Sequence, residues 1–400
     1  MMRISIRKTA LFILMCYTLL IYLSYINQTL NSLHSLCLYL TFSMSLLIAL
    51  INRRLDLNRY CFWYACFTLC CLISTTYTPK THGVSEGIFS LFVIIGLVFS
   101  FSIILTDGLQ IEKFLKCLVL GSVGLTLYLI LTGRMDASLD AAGRFGGILT
   151  GNANIFASIY MFAAFSSVYF IFKHDTKRLK IMYCLALLLQ LYSLVMSGGR
   201  KFFLLPLLLI LLILLQNQNS IGDKGWIKRI LLGLIIGIGV LWAVYNVPFL
   251  YEHIGYRIDD YVSHILKGTE MIDTGTVKRS LMVERAIELW KEKPIFGQGF
   301  DAFSEIGGFQ AYSHNNYTEL LCNHGIVGFV VYYSFYGILL FILLKIKTDD
   351  KMMIFFRCLM ICMLVFELMA VNYNANLSQI FICLAWNYSN AYKWKNPIDA

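Results

Sequence analysis

The stretch AYSHNNYTELLCNHGIVGFVVYYSFYGILLFILL, Ala311 to Leu344, begins polar and ends apolar. His314, Asn315 and Asn316 stand ahead of a run, Gly325 to Leu344, that carries no charged residue. Crossing ~30 Å of hydrocarbon takes about 20 apolar residues, so this run reads as a membrane helix. A titratable, hydrogen-bonding cluster at the edge of such a helix is costly unless it has partners or a task.

Working outward, the apolar pattern repeats along the chain. Its 400 residues are 58% hydrophobic and only 14% charged, where soluble domains hold about a quarter charged. Apolar spans are expected at about 10–26, 33–51, 60–76, 88–105, 114–132, 153–172, 181–196, 202–216, 230–246, 324–344, 354–371 and 377–391. The fold class is therefore an all-α polytopic membrane protein, with about twelve transmembrane helices and one large, partly helical outer loop. On this reading residues 1–246 hold the first nine helices, 247–323 the loop, and 324–400 the last three helices and a tail. The opening MMRISIRKTALFILMCYTLLIYL has the basic-then-apolar form of a signal peptide. No small-residue cleavage site follows, so a retained first helix is expected.

Basic residues set the topology, because short cytoplasmic loops collect Lys and Arg. Arg3, Arg7 and Lys8 precede the first span; Arg53, Arg54 and Arg59 follow the second. Lys113 and Lys116 follow the fourth, and Lys173, Lys177, Arg178 and Lys180 the sixth. Lys224, Lys228 and Arg229 follow the eighth, Lys345, Lys347, Lys351 and Arg357 the tenth, and Lys393 and Lys395 the twelfth. Every even-numbered exit is basic, which puts both termini in the cytoplasm. The net charge of +10 then reflects this bias and contact with anionic lipid, not a nucleic-acid footprint. The twelve cysteines lie mostly inside apolar runs, as in CFWYACFTLCC from Cys61 to Cys71, and show no C-x-x-C pair. They read as small apolar helix residues.

The outer loop has its own periodicity. Leu281, Ala286, Leu289 and Trp290 mark an apolar helical stripe, with Glu284, Glu288 and Lys291 facing away. The segment KPIFGQG ends that helix with proline and glycine. Long loops with internal order are commonly functional, so an ordered cap is expected. Between Val247 and Asn316 the chain has seven basic and ten acidic residues, a net of −3. Any anion there must be held by a few placed cations, not by a diffuse basic patch.

Four segments put Arg or His at a helix end on the same expected face. They are GRFGGILTGNAN (Gly143 to Asn154), SGGRK (Ser197 to Lys201), VKRSLMVER (Val277 to Arg285) and SHNNYTEL (Ser313 to Leu320). Arginine presents a planar, permanently charged fork to phosphate oxygens, and neighbouring glycines let backbone N–H groups approach an anion. Histidine can take a proton from an attacking hydroxyl. Each segment also has a plainer reading. Arg200 and Lys201 would snorkel at the interface, although cations on the outer side run against the topology. Arg144 would face water, Arg279 and Arg285 would pair with Glu284 and Glu288, and His314 would cap a helix. No GxxxxGK[ST], D-x-D, HExxH or CxxC is present, so neither an ATP loop nor a motif-borne metal site is expected. Arg257 and Gly268 stand in an Arg-x10-Gly spacing that the arginine and glycine content produces by chance.

Taken together, these motifs resemble the O-antigen ligase/polymerase superfamily of bacterial envelope proteins. SGGRKFFLLPLLLILL is similar to that family's Ser/Thr-x-x-Arg entry to a membrane helix. KRSLMVERAIELWKEKPIFGQGF is similar to its Arg-led loop helix ending in Pro-x-x-Gly-x-Gly. SHNNYTELLCNHGIVGFVVYY resembles its His-Asn stretch leading to Gly-x-x-Gly, and GRFGGILTGNANIFA its Arg–Gly–Asn-Pro-Asn segment, with Ala153 in place of the proline. The resemblance spans roughly Gly143 to Tyr333.

What the resemblance implies is glycosyl transfer from an undecaprenyl-diphosphate-linked oligosaccharide in the bacterial inner membrane, with no cofactor, metal or nucleotide. Arg200 and Arg279 would hold the diphosphate, with Arg144 and Arg285 as weaker carry-overs. His314 would be the base on the acceptor hydroxyl, and Asn315, Asn316 and Glu319 would orient His314 or bind a sugar. Membrane lipid is the implied surrounding, and a chain-length regulator is left open as a partner. Ligases of the family add an arginine in the last outer turn. Here that turn, VNYNANLS from Val371 to Ser378, has none, which favours a repeat-unit polymerase for O-antigen or capsule over a ligase acting on lipid A-core. The rival class is a flippase or transporter, for which Glu367 is the clearest intramembrane ionisable residue. A structural scaffold would tolerate any change at His314.

Overall fold

The computed structural model describes residues 2–27, 29–52, 58–140, 143–216, 233, 237–239, 241–267 and 274–395. Arg53, Arg54, Lys224, Lys228, Arg229, Gly268 and seven residues of the span expected at 230–246 lie outside the described residues. In order, the helices are α1 (Met2–Ile26), α2 (Leu30–Ile51), α3 (Arg59–Ser74), α4 (Val84–Ile104), α5 (Gly108–Leu131), the single turn α6 (Gly147–Thr150), α7 (Ala153–Lys173), α8 (Lys177–Met196) and α9 (Arg200–Gln216). A shorter apolar helix, α10 (Gly237–Asn246), follows. Then come the turn α11 (Pro248–Leu250), α12 (Tyr256–Lys267), α13 (Thr274–Glu292), the short α14 (Ala302–Ile306), α15 (Asn316–Lys345), α16 (Lys351–Glu367) and α17 (Asn376–Lys395). The described residues form no strand, only an isolated bridge between Leu139 and Phe145. Seven described helices, α1, α2, α4, α5, α7, α8 and α15, are long and apolar enough to cross a membrane. The chain is an all-α polytopic membrane protein. Each expected span overlaps a described helix, the ninth only in its second half, at α10.

A helix that is apolar all round belongs inside a bundle, and α7 takes that place. From Ile159 to Phe170 every side chain is buried, and α7 packs against α5, α8, α9 and α16. Between helices in a membrane, polar side chains that bond to each other act as glue. Gln190 on α8 accepts from Ser167 at 2.8 Å and donates to Ser122 on α5 at 2.9 Å. Thr126 meets Tyr160 at 2.9 Å and Ser193 at 3.1 Å. At one end of the bundle Arg357 closes helix termini, donating to the Leu343 carbonyl at 2.8 Å, the Ile346 carbonyl and Gln216. Lys173 pairs with Glu112 at that same end. All twelve cysteines are free.

The opposite end carries the loop, and two sequence expectations need correction there. The apolar stripe of α13 is Met282, Ala286 and Leu289, packed on Phe303 and Cys322; Leu281 faces out and Trp290 is only half-buried. The spacing of four and three is the true helical seam. The helix expected to start at 324 begins at Asn316 and is broken at Gly325, where φ is 63°. The polar head therefore lies inside the helix from Asn316 onward, because hydropathy discounts polar residues that are buried and bonded.

Candidate active site

The break in α15 is made by the loop. In an unbroken helix the N–H groups of Ile326 and Val327 would reach the carbonyls of Cys322 and Asn323. Here they donate to Pro294 and Ile295 instead, at 2.9 and 3.1 Å. The freed carbonyls of Cys322 and Asn323 accept from Gln298 and Gly299, at 2.8 and 2.9 Å. Both of these helix bonds are replaced by bonds to the segment PIFGQG, so none of these four groups is orphaned. A Cβ on Gly325 would stand 2.3 Å from the Ile295 oxygen, so both the left-handed φ and the close approach require glycine. The loop is also tied to the turn after α3: Phe300 N–H donates to Ser74, Thr78 donates to the Phe300 carbonyl, and Lys80 pairs with Asp301. The second histidine of the stretch, His324, is buried beneath this junction, 3.0 Å from the Ser74 hydroxyl.

This lock places the 311–316 segment. His314 sits just before the helix with φ 60°, a strained backbone for a residue with a side chain. Its ring lies 4.4 Å from that of Tyr312. Burial, then the charges of Arg279, Lys201 and Lys278, push its pKa down from 6.5 to about 4. The imidazole is thus neutral at physiological pH and keeps one ring nitrogen unprotonated. Among the described residues, no side chain hydrogen-bonds its ring nitrogens.

Of the four predicted arginines, Arg279 is close enough for its charge to act on His314. It projects from the exposed side of α13. Arg200 opens α9 directly after Gly198 and Gly199, partly exposed. Arg144 lies against the same segment: a Cβ on Gly198 would meet its Cγ at 3.5 Å, and Phe145 N–H donates to the Met196 carbonyl. The charge of Arg144 is answered by Asp140, through contacts at 2.8 and 3.0 Å. Arg285 is paired with Glu288 at 2.9 Å on the solvent side of α13, as the plainer reading of that helix had it.

Asn315, Asn316 and Glu319 turn inward. Asn315 caps α15, accepting from Tyr317 and Thr318 at 2.9 and 3.1 Å. Asn316 is fully buried and accepts from the backbone N–H groups of Asn372 and Tyr373. Buried Glu319 accepts from Ser313 N–H at 2.6 Å and from Asn323 at 3.0 Å. Their bonds run to the protein and hold the backbone on both sides of His314.

The sequence reading named Lys201 only as a snorkelling residue beside Arg200. It does not snorkel: it turns into the bundle between the rings of Phe202 and Phe366, at 5.0 and 5.9 Å, and bonds the Met369 carbonyl. Only its place beside Arg200 hinted at this, since its partners come from α16, far along the chain. Tyr312 was missed for the same want of a motif.

No curated protein matches the chain. A family model described as O-antigen ligase matches residues 185–333. The matched stretch contains Arg200, Lys201, Arg279, Arg285, His314, Asn315, Asn316 and Glu319, and leaves out Arg144. The family covers O-antigen ligases and polymerases, glycosyltransferase-like enzymes that act on lipid-linked sugars. Residues 185–333, from within α8 to the second segment of α15, are thus similar to the O-antigen ligase family, which is consistent with the O-antigen ligase/polymerase superfamily.

Proposed function

We propose that this protein joins oligosaccharide repeat units carried on undecaprenyl diphosphate into a surface polysaccharide, with the reaction on the outer side of the inner membrane. The observation that carries the reading is a neutral imidazole set among cations from two other elements, Lys201 on α9 and Lys278 and Arg279 on α13. An acceptor hydroxyl attacks the anomeric carbon of the donor sugar. The bond from that carbon to the diphosphate oxygen breaks, the lipid diphosphate leaves with the electron pair, and the hydroxyl proton passes to His314. Attack opposite the leaving group inverts the anomeric centre. Arg279, Arg200 and Lys201 supply the positive field in which the leaving charge grows, the task a metal ion performs in other transferases. Arg144 and Arg285, each already in an ion pair, are the weaker candidates for contact with the diphosphate. The helix bundle leaves the lipid tail in the bilayer while the loop covers the reacting sugars.

The polymerase reading is preferred to ligation because the turn from Val371 to Ser378 has no arginine, and Asn372 and Tyr373 of that turn touch Asn316. A deletion strain tests it. Loss of long chains, with single repeats still reaching the surface, is the expected result. Loss of every attached repeat, with free lipid-linked polymer accumulating, would make the protein a ligase. Lipid-linked units trapped on the cytoplasmic side would make it a flippase.

A further inference from the structure

Three consecutive positions at the C-terminal end of α16 hold three residues of the site. The Glu367 carboxyl group accepts from Asn316 Nδ2 at 3.3 Å. The Leu368 carbonyl accepts from Asn315 Nδ2 at 3.1 Å. The Met369 carbonyl accepts from the Lys201 ammonium. The first two bonds anchor the residues directly after His314. The third anchors the ammonium directly after Arg200. One helix end therefore fixes the distance between the segment that carries the imidazole and the head of α9.

Glu367 is fully buried. Besides Asn316 it accepts from the hydroxyls of Tyr333 at 2.7 Å, Tyr336 at 2.5 Å and Tyr332 at 3.2 Å. Tyr332 in turn accepts from Gln379 Nε2 at 3.1 Å, and Gln379 Oε1 accepts from Tyr60 at 2.6 Å. Asn316 uses its whole hydrogen-bonding capacity: its amide donates to Glu367 and Tyr333, and its oxygen takes the N–H groups of Asn372 and Tyr373. These partners hold Glu367 with hydroxyls and an amide rather than with a cation. A leucine would fill that space without the desolvation cost of an acid. What the acid adds is a fixed direction for Asn316, because a fully satisfied buried network admits one arrangement.

We propose that Glu367 is a positioning residue: its tyrosine-bound carboxyl group holds Asn316, while the next two carbonyls hold Asn315 and Lys201, in the register that sets His314 against the cations of α9 and α13. This rests on the reading of His314 as the base. Glu367 touches no substrate and acts only through the residues it holds.

The test compares Glu367→Leu, Glu367→Gln and Tyr333→Phe in the full-length protein, with two readouts. The first is titration of the His314 ring by 13C NMR, which needs no activity. The groups facing that ring are Lys278 and Arg279 from α13, Lys201 from α9, Tyr312 from its own segment and, through Ser313, Glu319 from α15. The second is kcat and donor KM with a lipid-diphosphate oligosaccharide. Glu367→Leu is expected to move the titration midpoint up from about 4 as the ring leaves its buried place and its cations. Its kcat should fall on the order of 10²-fold, the usual effect of ångström-scale misplacement, with donor KM within about threefold. Glu367→Gln, whose oxygen can still face Asn316 while its amide bonds a tyrosine hydroxyl, should restore both. Tyr333→Phe keeps the ring volume and should move both readouts the same way by less, which covers a leucine variant that fails to fold. An unmoved midpoint in the folded variants overturns the proposal, whatever happens to kcat. A midpoint that moves as expected while the wild type transfers no sugar leaves the positioning role standing and removes the function assigned above.

Discussion

His314 has a depressed affinity for protons because the ring is partly buried and lies near the charges of Arg279, Lys201 and Lys278. In the free enzyme the acid limb of kcat/KM should therefore lie near pH 4, with activity level from there to neutrality. Lys201→Met removes one cation, so the imidazole should protonate more readily and the limb should move toward pH 6.5. A limb unmoved in that variant would show that Lys201 does not act on the ring. The same shift governs stability. The unfolded imidazole takes its proton near pH 6.5 and the folded one only near 4, so between those values the unfolded state binds more protons. Stability contributed by neutral His314 is present above pH 6.5 and is lost as pH falls toward 4. His314→Phe should flatten that decline in a thermal unfolding series. At this scale His314 and Arg279 were legible in the sequence, because a histidine-asparagine pair and a loop arginine stand out against apolar surroundings. Lys201 was not, because its role depends on Phe366 and Met369, which meet it only in the fold.

Among the elements, α15 and the segment after α13 explain each other. The proline-glycine punctuation in KPIFGQG and the glycine after His324 read in the sequence as separate motifs; in the fold they are the two sides of one backbone exchange. Gly325→Ala must hold an alanine at φ 63° and push a Cβ into the Ile295 carbonyl. It should cost about 1–3 kcal/mol from the backbone strain alone, seen as a lower Tm of detergent-purified protein. Gly337→Ala, on the same helix with open space around it, should be neutral or stabilise by up to about 1 kcal/mol. Equal effects at the two glycines would contradict the exchange. Hydropathy located the second segment of α15 and hid the first, since Asn316, Glu319 and Asn323 look like loop residues until their buried partners are known.

For the whole molecule, periodicity and composition were enough to indicate a helical membrane bundle, and the buried girth of α7 follows from its unbroken apolar surface. Which ends of the helices meet was also readable, through alternation of basic exits. The Arg144 segment, the Arg200 segment, α13 and His314 do meet at one end, while Lys173, Arg357 and Asp350 gather at the other. The charge rule predicts that the end with His314 faces outward and the end with Arg357 faces the cytoplasm. Alkaline phosphatase joined after Glu305 should be active, and the same enzyme joined after Asp349 should not. The reverse pattern would put the loop in the cytoplasm. What the sequence could not show is the clamp at the end of α16, whose three partners lie on α9 and at the start of α15. The measurement that bears most directly on the proton-transfer account is single-turnover transfer by purified His314→Gln at saturating lipid-diphosphate donor. The expected rate is about 10²- to 10⁴-fold below wild type, with donor affinity within about threefold. A rate within about threefold of wild type would mean that another group takes the proton.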